Sequence, residues 1–345
     1  MVLPTTYASA LLLLLVSLVC FGSWPNALKL SGPGWRFELF YFDFAVGALL
    51  LAVIAAFTFG TFGSEMAFND RILVAGRSAQ AFVIASGFLF NLGNMLLLAA
   101  ISLLGMSAAF PITIGMALLV ASLWNFRADN ILFLIAGLVL LLLTLVLGGS
   151  ACRLRDYASP QSTKAPSKSK APSRSKAHKT NKGLMVAILG GIPLGLFYPL
   201  FARGAAGEFG LGAYAGILLF CIGLLISTIV FNFYFMNIAI EGGALAFTAY
   251  FRGNLRQHLL GFIAGAAWAV GALAAALACL TSSQTEVPLW LTIVLPLASV
   301  VLAFFWGTLA WKEFPARSKN ARVAVSFTLL FYVGALALVT TGLAR

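Results

Sequence analysis

The chain has 345 residues, of which 61% are hydrophobic and 9% are charged. This composition excludes an ordinary soluble domain, because a soluble protein of this length could not bury so much apolar surface. The net charge of +12 does not indicate nucleic-acid binding, because the Lys and Arg residues lie between long apolar segments. We therefore expect the lipid bilayer to be the solvent of most of the chain.

Ten apolar segments are each long enough to cross a hydrocarbon core of about 30 Å. Only helices and closed barrels satisfy their backbone in lipid, and these runs lack the strict alternation of barrel strands. The sequence therefore predicts an all-α integral membrane protein with ten transmembrane helices. The predicted spans are residues 6–28, 38–62, 79–104, 107–126, 130–151, 183–203, 211–236, 259–281, 287–311 and 321–343. The first span lacks a basic N-terminal region and a convincing cleavage site, so we expect a retained helix rather than a signal peptide.

Two aromatic–proline steps, Trp24-Pro25 and Tyr198-Pro199, each follow shortly after a glycine. Proline removes an amide donor and crowds the preceding turn, so each step is predicted to end or kink the first helix of one half of the chain. These four residues are candidate hinges or gate lips. The two prolines are 199 − 25 = 174 residues apart, which is about half the chain.

Asp43 lies in the second predicted span, seven residues beyond Arg36. Seven helical residues span roughly 10 Å, so the carboxylate should lie below the headgroups. An acid at that depth is costly and usually faces a cavity or a partner, which makes Asp43 the candidate proton carrier. The alternative is an interfacial ion pair with Arg36.

Asn91 and Asn94 share one face of the third span with Gly87. Their carboxamides could supply donor and acceptor pairs to an imide or urea edge, and they are candidate substrate ligands. Phe90 in this span and Trp268 in the eighth could stack a flat ring. The alternatives are hydrogen-bonded contacts between helices for the amides and packing at a helix crossing for the rings.

Further polar candidates lie in other spans. Thr228 and Asn232 repeat the i, i+4 polar spacing in the seventh span, and Thr113 lies near the start of the fourth. We rank these three as secondary substrate contacts. Three charges between later spans could form a cytoplasmic gate, although solvated loop charge is the alternative; they are Lys312, Glu313 and Arg252.

Residues 152–182 form a linker rich in Lys, Ser, Ala and Pro, with almost no large apolar side chains. Such a segment cannot bury a core and is predicted to be disordered. Nine basic residues occur from Arg153 to Lys182, so the linker could attract anionic headgroups, and the alternative is a solvated tether whose charge sets the orientation of the chain. We predict that both termini lie outside the cell membrane and that the linker is cytoplasmic. This orientation places seventeen of the 22 Lys and Arg residues on the inner side of the membrane.

The chain reads as two copies of one five-helix unit, residues 1–151 and 183–345. The aromatic–proline steps match, and a second motif recurs at an offset of 178 residues: Gly87, Phe90 and Gly93 correspond to Gly265, Trp268 and Gly271. An odd number of spans per copy makes the repeat inverted, with a site between the copies, which is typical of secondary transporters.

Several stretches resemble the ureide permeases. They are Phe21-Gly-Ser-Trp-Pro, Tyr41-Phe-Asp-Phe, Ala52 to Gly60, Ser227 to Met236, Tyr250-Phe-Arg-Gly, Arg256 to Gly261, and Trp306-Gly with Trp311 to Phe314. The resemblance implies ten helices of the drug/metabolite transporter type, close to the glucose/ribose porters, and proton-driven import of oxo-nitrogen heterocycles. The chain departs from the plant members at the central loop, which is shorter here and has no nucleotide-binding-like motif.

No metal-type cysteine spacing and no set of catalytic side chains occurs, so we predict a transporter without a cofactor or a metal, and not an enzyme. The predicted function is proton-coupled uptake of ureides or nucleobases. The alternatives are a sugar porter of the glucose/ribose type and a membrane enzyme or non-transporting scaffold. A near absence of buried acids favours a neutral, flat substrate over a sugar.

Overall fold

The computed structural model describes residues 1–63, 65–124, 130–158 and 171–343, of which 171–177 and 343 are described by their backbone alone. This part of the chain is all-helical and has no strand. A 3₁₀ helix covers Phe247–Arg252 and a π-helix covers Trp306–Ala310. The α-helices are α1 Tyr7–Ser23, α2 Asn26–Leu30, α3 Phe37–Phe57, α4 Phe68–Val74, α5 Arg77–Leu104, α6 Met106–Trp124, α7 Ile131–Tyr157, α8 Ala171–Ala205, α9 Gly212–Asn237, α10 Leu255–Leu280, α11 Ser282–Thr285, α12 Leu289–Leu297, α13 Ser299–Phe305 and α14 Lys319–Leu343.

Ten stretches of the described chain are helical, long and apolar enough to cross a membrane, which confirms the predicted number of spans. The first is α1 with α2, Tyr7–Leu30, and the ninth is α12 with α13 and the π-helix, Leu289–Ala310. The ninth span is therefore broken, whereas the sequence predicted one helix. Pro296 lies just before the break and removes a backbone donor there.

The two aromatic–proline steps behave differently. Trp24-Pro25 separates α1 from α2, as predicted. Tyr198-Pro199 does not end a helix, because α8 continues to Ala205. Pro199 leaves the carbonyl of Gly195, four residues earlier, without its usual helical donor, and membrane helices tolerate this single loss.

Both ends of the predicted linker are helical, because α7 runs to Tyr157 and α8 begins at Ala171. Side-chain contacts hold the two helix ends together. Arg153 Nη2 donates to Asn181 Oδ1 at 3.2 Å, and the Thr180 hydroxyl donates to the Asp156 carboxylate. The prediction of disorder over 152–182 is therefore wrong for residues 152–157 and 171–182, and residues 159–170 lie outside the described residues.

The chain divides into two compact units. The first contains Met1–Met95 with Leu196–Ser299, and the second contains Leu96–Gly195 with Val300–Arg345. Two of the boundaries fall inside α5 and α8, so each unit takes segments from both predicted repeats. The division into repeats at 1–151 and 183–345 stays a prediction.

Within the first unit, α3 and α10 cross at glycines. A Cβ added at Gly47 would lie closer than 3.0 Å to the carbonyl oxygen of Phe262, and one added at Gly265 would do the same to Phe44. Real Cβ atoms do not approach a backbone oxygen so closely. Each helix therefore uses a glycine to let the other helix's backbone reach it.

The same arrangement recurs between α5 and α9 in this unit. A Cβ at Gly87 would meet the carbonyl oxygen of Phe220, and one at Gly223 would meet that of Ile84, again closer than 3.0 Å. The pairs correspond along the chain, since 265 − 87 and 262 − 84 both equal 178, while 223 − 47 and 220 − 44 both equal 176. The two crossings are thus built from equivalent residues.

Candidate transport site

Asp43 lies in the second turn of α3 and is 8% exposed. Tyr250, on the 3₁₀ helix, donates its hydroxyl to Asp43 Oδ1 at 2.5 Å. His258, in the first turn of α10, places Nδ1 2.9 Å from Asp43 Oδ2. Each carboxylate oxygen of Asp43 therefore has its own partner, and we call these three residues the Asp43 cluster.

A glycine and an aromatic shell position the Asp43 cluster. A Cβ at Gly261 would lie 2.7 Å from the Cβ of Asp43, so only glycine lets α10 approach this closely. The Trp35 ring meets His258 edge-on at a centroid distance of 5.1 Å, and the Tyr250 and His258 rings are 4.7 Å apart. Burial raises the pKa of Tyr250, and its hydrogen bond to Asp43 raises that pKa further, so Tyr250 remains a protonated donor near neutral pH.

The alternative interpretation of Asp43, an ion pair with Arg36, is wrong in this structure. Arg36 pairs instead with Glu38, with its Nε donating to Glu38 Oε2 at 3.2 Å. Its Nη1 also donates to the carbonyl oxygen of Gly243 at 2.6 Å, which ties the loop after α9 to the start of α3. Glu38 is fully buried and was not among the predicted site residues. Its position in the first helical turn, two residues after an arginine, was the available signal.

Asn91 forms a hydrogen-bonded contact between α5 and α9. Its Nδ2 donates to Ser227 Oγ at 2.7 Å and to the carbonyl oxygen of Leu224 at 3.2 Å. The Thr228 hydroxyl donates to Asn91 Oδ1 at 3.3 Å. The structure thus brings two predicted residues together, and Asn91 already uses both ends of its carboxamide on the protein.

Asn94 and Asn232 extend the polar surface of the same unit. Asn94 Nδ2 donates to the Tyr41 hydroxyl at 3.0 Å. Asn232 lies one turn beyond Thr228 on α9 and is fully buried, yet neither its Nδ2 nor its Oδ1 has a hydrogen-bond partner in the part of the chain that the structure describes. A buried carboxamide without partners is costly. Asn232 is therefore the polar group in this unit best prepared to bind a ligand or water.

The predicted stacking rings are brought together, but they contact each other. Phe90 and Trp268 have centroids 4.5 Å apart and an interplanar angle of 33°. Phe220 lies 5.7 Å from Trp268, and Phe197 lies 5.3 Å from Phe90. A flat substrate could enter between Phe90 and Trp268 only if these rings separate.

The candidate hinge residues also belong to the first unit. Trp24 packs on Phe44 with a centroid distance of 4.8 Å, close to the α3–α10 crossing. The Tyr198 hydroxyl is 3.4 Å from Cys279 Sγ at the end of α10. A hinge role stays a prediction for both steps.

The remaining predicted site residues are Thr113 and the three candidate gate charges. Thr113 belongs to the second unit, where its buried hydroxyl has no partner among the described residues. Arg252 is exposed on the 3₁₀ helix, and Lys312 is exposed with a positive φ of 49°. Their gate role stays a prediction.

Glu313 has a defined structural partner in the second unit. Its Oε1 accepts from the backbone N–H of Met106 at 2.8 Å, and its Oε2 accepts from the backbone N–H and the hydroxyl of Ser107 at 2.8 and 2.6 Å. Glu313 therefore caps the N-terminus of α6. Beside it, Arg155 Nη1 donates to the carbonyl oxygen of Leu104 at 2.5 Å and so binds the C-terminus of α5.

Comparison with known proteins indicates what kind of function this chain has. Ureide permease 2 of Arabidopsis thaliana is 24% identical and covers 98% of both chains, and ureide permease 1 is 23% identical and covers 95% of both. Ureide permease 4 of the same plant is 29% identical over 36% of this chain and 32% of its own. No protein-family profile matches the chain.

A solved protein crystal structure aligns with 96% of this chain and 96% of its own length, with a TM-score of 0.50 and 16% identity, and this likeness concerns the fold alone. The ten apolar spans and the nearly full-length similarity to proteins named as permeases together support a membrane transporter of small solutes.

Proposed function

We propose that this chain belongs to a ureide permease-like family of the drug/metabolite transporter superfamily and takes up ureides or nucleobases by proton coupling. The observation that carries the proposal is the similarity to two ureide permeases along nearly the whole chain. A shared domain alone would align over only part of the length. The proposed substrate class is therefore small, neutral and planar.

The neutral polar residues of the first unit suit such a substrate. A ureide or nucleobase presents N–H and C=O groups side by side, and a carboxamide offers one donor and one acceptor in the same arrangement. Asn232 has both groups free among the described residues, whereas Asn91 already uses both on α9. We assign Asn232 as the primary substrate ligand, Asn94 as a second polar ligand and the Phe90–Trp268 pair as the stacking surface.

The Asp43 cluster is proposed to carry the proton. Asp43 Oδ2 and His258 Nδ1 are 2.9 Å apart, so a proton taken up there belongs to the pair rather than to one residue. Tyr250 stabilises the carboxylate form by donating to the other oxygen. Uptake then requires the pair to gain a proton on one side of the membrane and to lose it on the other.

Alternating access is proposed to use an inverted repeat of five helices plus five. The equivalent glycine contacts of α3 with α10 and of α5 with α9 support this, because a two-fold relation would place such contacts in corresponding positions. The strong bias of basic residues supports a cell-membrane topology with both termini outside and the linker cytoplasmic.

Uptake by purified protein in proteoliposomes tests the proposal. The panel is radiolabelled allantoin, uracil, xanthine, glucose and ribose, each with and without an inward proton gradient. We expect gradient-dependent accumulation of one or more nitrogen heterocycles and none of the sugars. Accumulation of glucose or ribose alone would establish the sugar-porter alternative, and no accumulation of any solute by folded protein would contradict transport of this class.

A further inference from the structure

An open groove of about 440 Å³ lies on the second unit, at the ends of α7 and α8 that approach the linker. It is lined by Arg153 and five residues of α8, namely Asn181, Leu184, Met185, Ile188 and Leu189. These five are spaced as one helix face, and the distance along the axis from first to last is about 12 Å. The groove is thus polar at one end and apolar along the rest.

The polar end carries an uncompensated positive charge. Arg153 is exposed and hydrogen-bonds to the neutral carboxamide of Asn181 at 3.2 Å. Asp156 is the one acid between residues 153 and 182. Asp156 pairs with Arg155 at 3.1 Å and accepts from Thr180. No acid is paired with Arg153 within the residues that the structure describes.

We propose that this groove binds an anionic phospholipid, with its phosphate at Arg153 and one acyl chain along Leu184, Met185 and Ile188. The apolar face is exposed at the end of two membrane spans, and Met185 is 56% exposed. Basic groups at the ends of transmembrane helices attract anionic headgroups. The groove joins such a group directly to an acyl-sized apolar track.

Two other occupants fit the groove less well. Residues 159–170 contain no large apolar side chain, so this segment cannot fill the apolar track. A second copy of the chain would bring another linker region with nine basic residues against Arg153, and like charges would repel. A lipid satisfies both the apolar track and the charge.

The test uses the purified full chain in a neutral detergent and native mass spectrometry with two lipids that share their acyl chains, phosphatidylglycerol and phosphatidylcholine. We expect the protein to retain phosphatidylglycerol about fivefold more strongly, the effect of one basic contact near a membrane surface. Inorganic phosphate at the same concentration should not displace it, because a free anion lacks the acyl chain.

Variants locate the site. Arg153→Gln should reduce phosphatidylglycerol retention to the phosphatidylcholine level, whereas Arg153→Lys should keep most of the preference. Met185→Trp should fill the track and lower retention of both lipids. The matched control is Arg317→Gln, which removes the same charge from an exposed loop of the same unit and should change nothing.

Three results would overturn the proposal. They are equal retention of both lipids by the unmodified chain, equal losses in Arg153→Gln and Arg317→Gln, and a dimer that Met185→Trp dissociates. If Arg153→Gln does not fold, Asn181→Ala and Arg153→Lys decide the case, because the proposal requires both to retain the preference. Lipid retention is measured without substrate, so its failure is independent of any failure of transport.

Discussion

The α3–α10 crossing and the α5–α9 crossing have the same construction and carry different chemistry. Both bring backbones together through a pair of glycines at corresponding positions. The first adds an ionisable group, with Asp43 one turn before Gly47 and His258 two turns before Gly265. The second adds a neutral group, Asn91 with Ser227 and Thr228, one turn after its glycines. The shared part is structural, and the differing part is where we expect function.

The chain offset shows how completely the polar groups differ. In the α5–α9 crossing, the residue that corresponds to Asp43, 176 positions later, is Leu219. The residue that corresponds to His258, 178 positions earlier, is Gln80. In the α3–α10 crossing, the residue that corresponds to Asn91 is Ala269, and the residue that corresponds to Thr228 is Ala52. Neither polar group has a counterpart of its own kind in the other crossing. We therefore propose that the α3–α10 crossing serves proton coupling and that the α5–α9 crossing serves a neutral solute.

The largest effect should come from the glycines that the crossings share. Gly265→Ala and Gly87→Ala each place a Cβ against a backbone oxygen that cannot move alone, so both should lower the free energy of unfolding by about 3 kcal/mol or more. Thermal unfolding in detergent is the measurement. Gly34→Ala is the control, since a Cβ there meets nothing within 4 Å. Wild-type stability in either crossing variant would refute the equivalence.

The second largest effect should separate proton coupling from substrate binding. Asp43→Asn should abolish accumulation driven by a proton gradient, because the amide cannot ionise, while equilibrative exchange of the same substrate continues. Glu38→Gln is the matched control, a buried acid of the same helix that pairs with Arg36; it should keep accumulation per folded molecule. Full proton-driven accumulation by Asp43→Asn at normal abundance would remove Asp43 from the coupling mechanism.

The effect of replacing a buried asparagine should depend on whether its carboxamide has a hydrogen-bond partner in the protein. Asn232→Ala should weaken substrate affinity about tenfold with little loss of stability, because the carboxamide has no protein partner to lose. Asn91→Ala should lower stability by about 1–2 kcal/mol through lost contacts to α9. The measurements are substrate binding and thermal unfolding of both variants. The assignment fails if Asn232→Ala binds substrate normally.

The smallest effect should come from Tyr250→Phe, which removes one donor from Asp43 and keeps the ring. A hydrogen bond to a carboxylate favours its charged form, so its loss should move the pH of half-maximal accumulation upward. Uptake measured from pH 5 to 9 shows this. An unchanged profile would mean that Tyr250 only packs against the cluster.

The spans were predictable because a bilayer requires long apolar helices, and each candidate span left a strong signal. The contacts that define the site were harder to predict from the sequence, because they join residues that are far apart along the chain. Asn91 and Thr228 were candidates on separate helices, but the bond between them joins residues 137 apart. Tyr250 and His258 lie 207 and 215 residues from Asp43. His258 lies just before the predicted eighth span, residues 259–281, and was not a candidate, whereas α10 begins four residues earlier at Leu255 and includes it.

The turn between α5 and α6 has a mechanical consequence. A single residue, Gly105, joins these helices with a φ of 91°, and glycine at such a point is usually regarded as a source of flexibility. Here the carbonyl before it is bound by Arg155 from α7, and the amides after it are bound by Glu313 from the segment that precedes α14. Gly105 is therefore held in place by side chains from two other segments and does not act as a flexible hinge. Moving this turn relative to α7 or to the segment that carries Glu313 would break these hydrogen bonds, so we expect bending during a transport cycle to occur elsewhere.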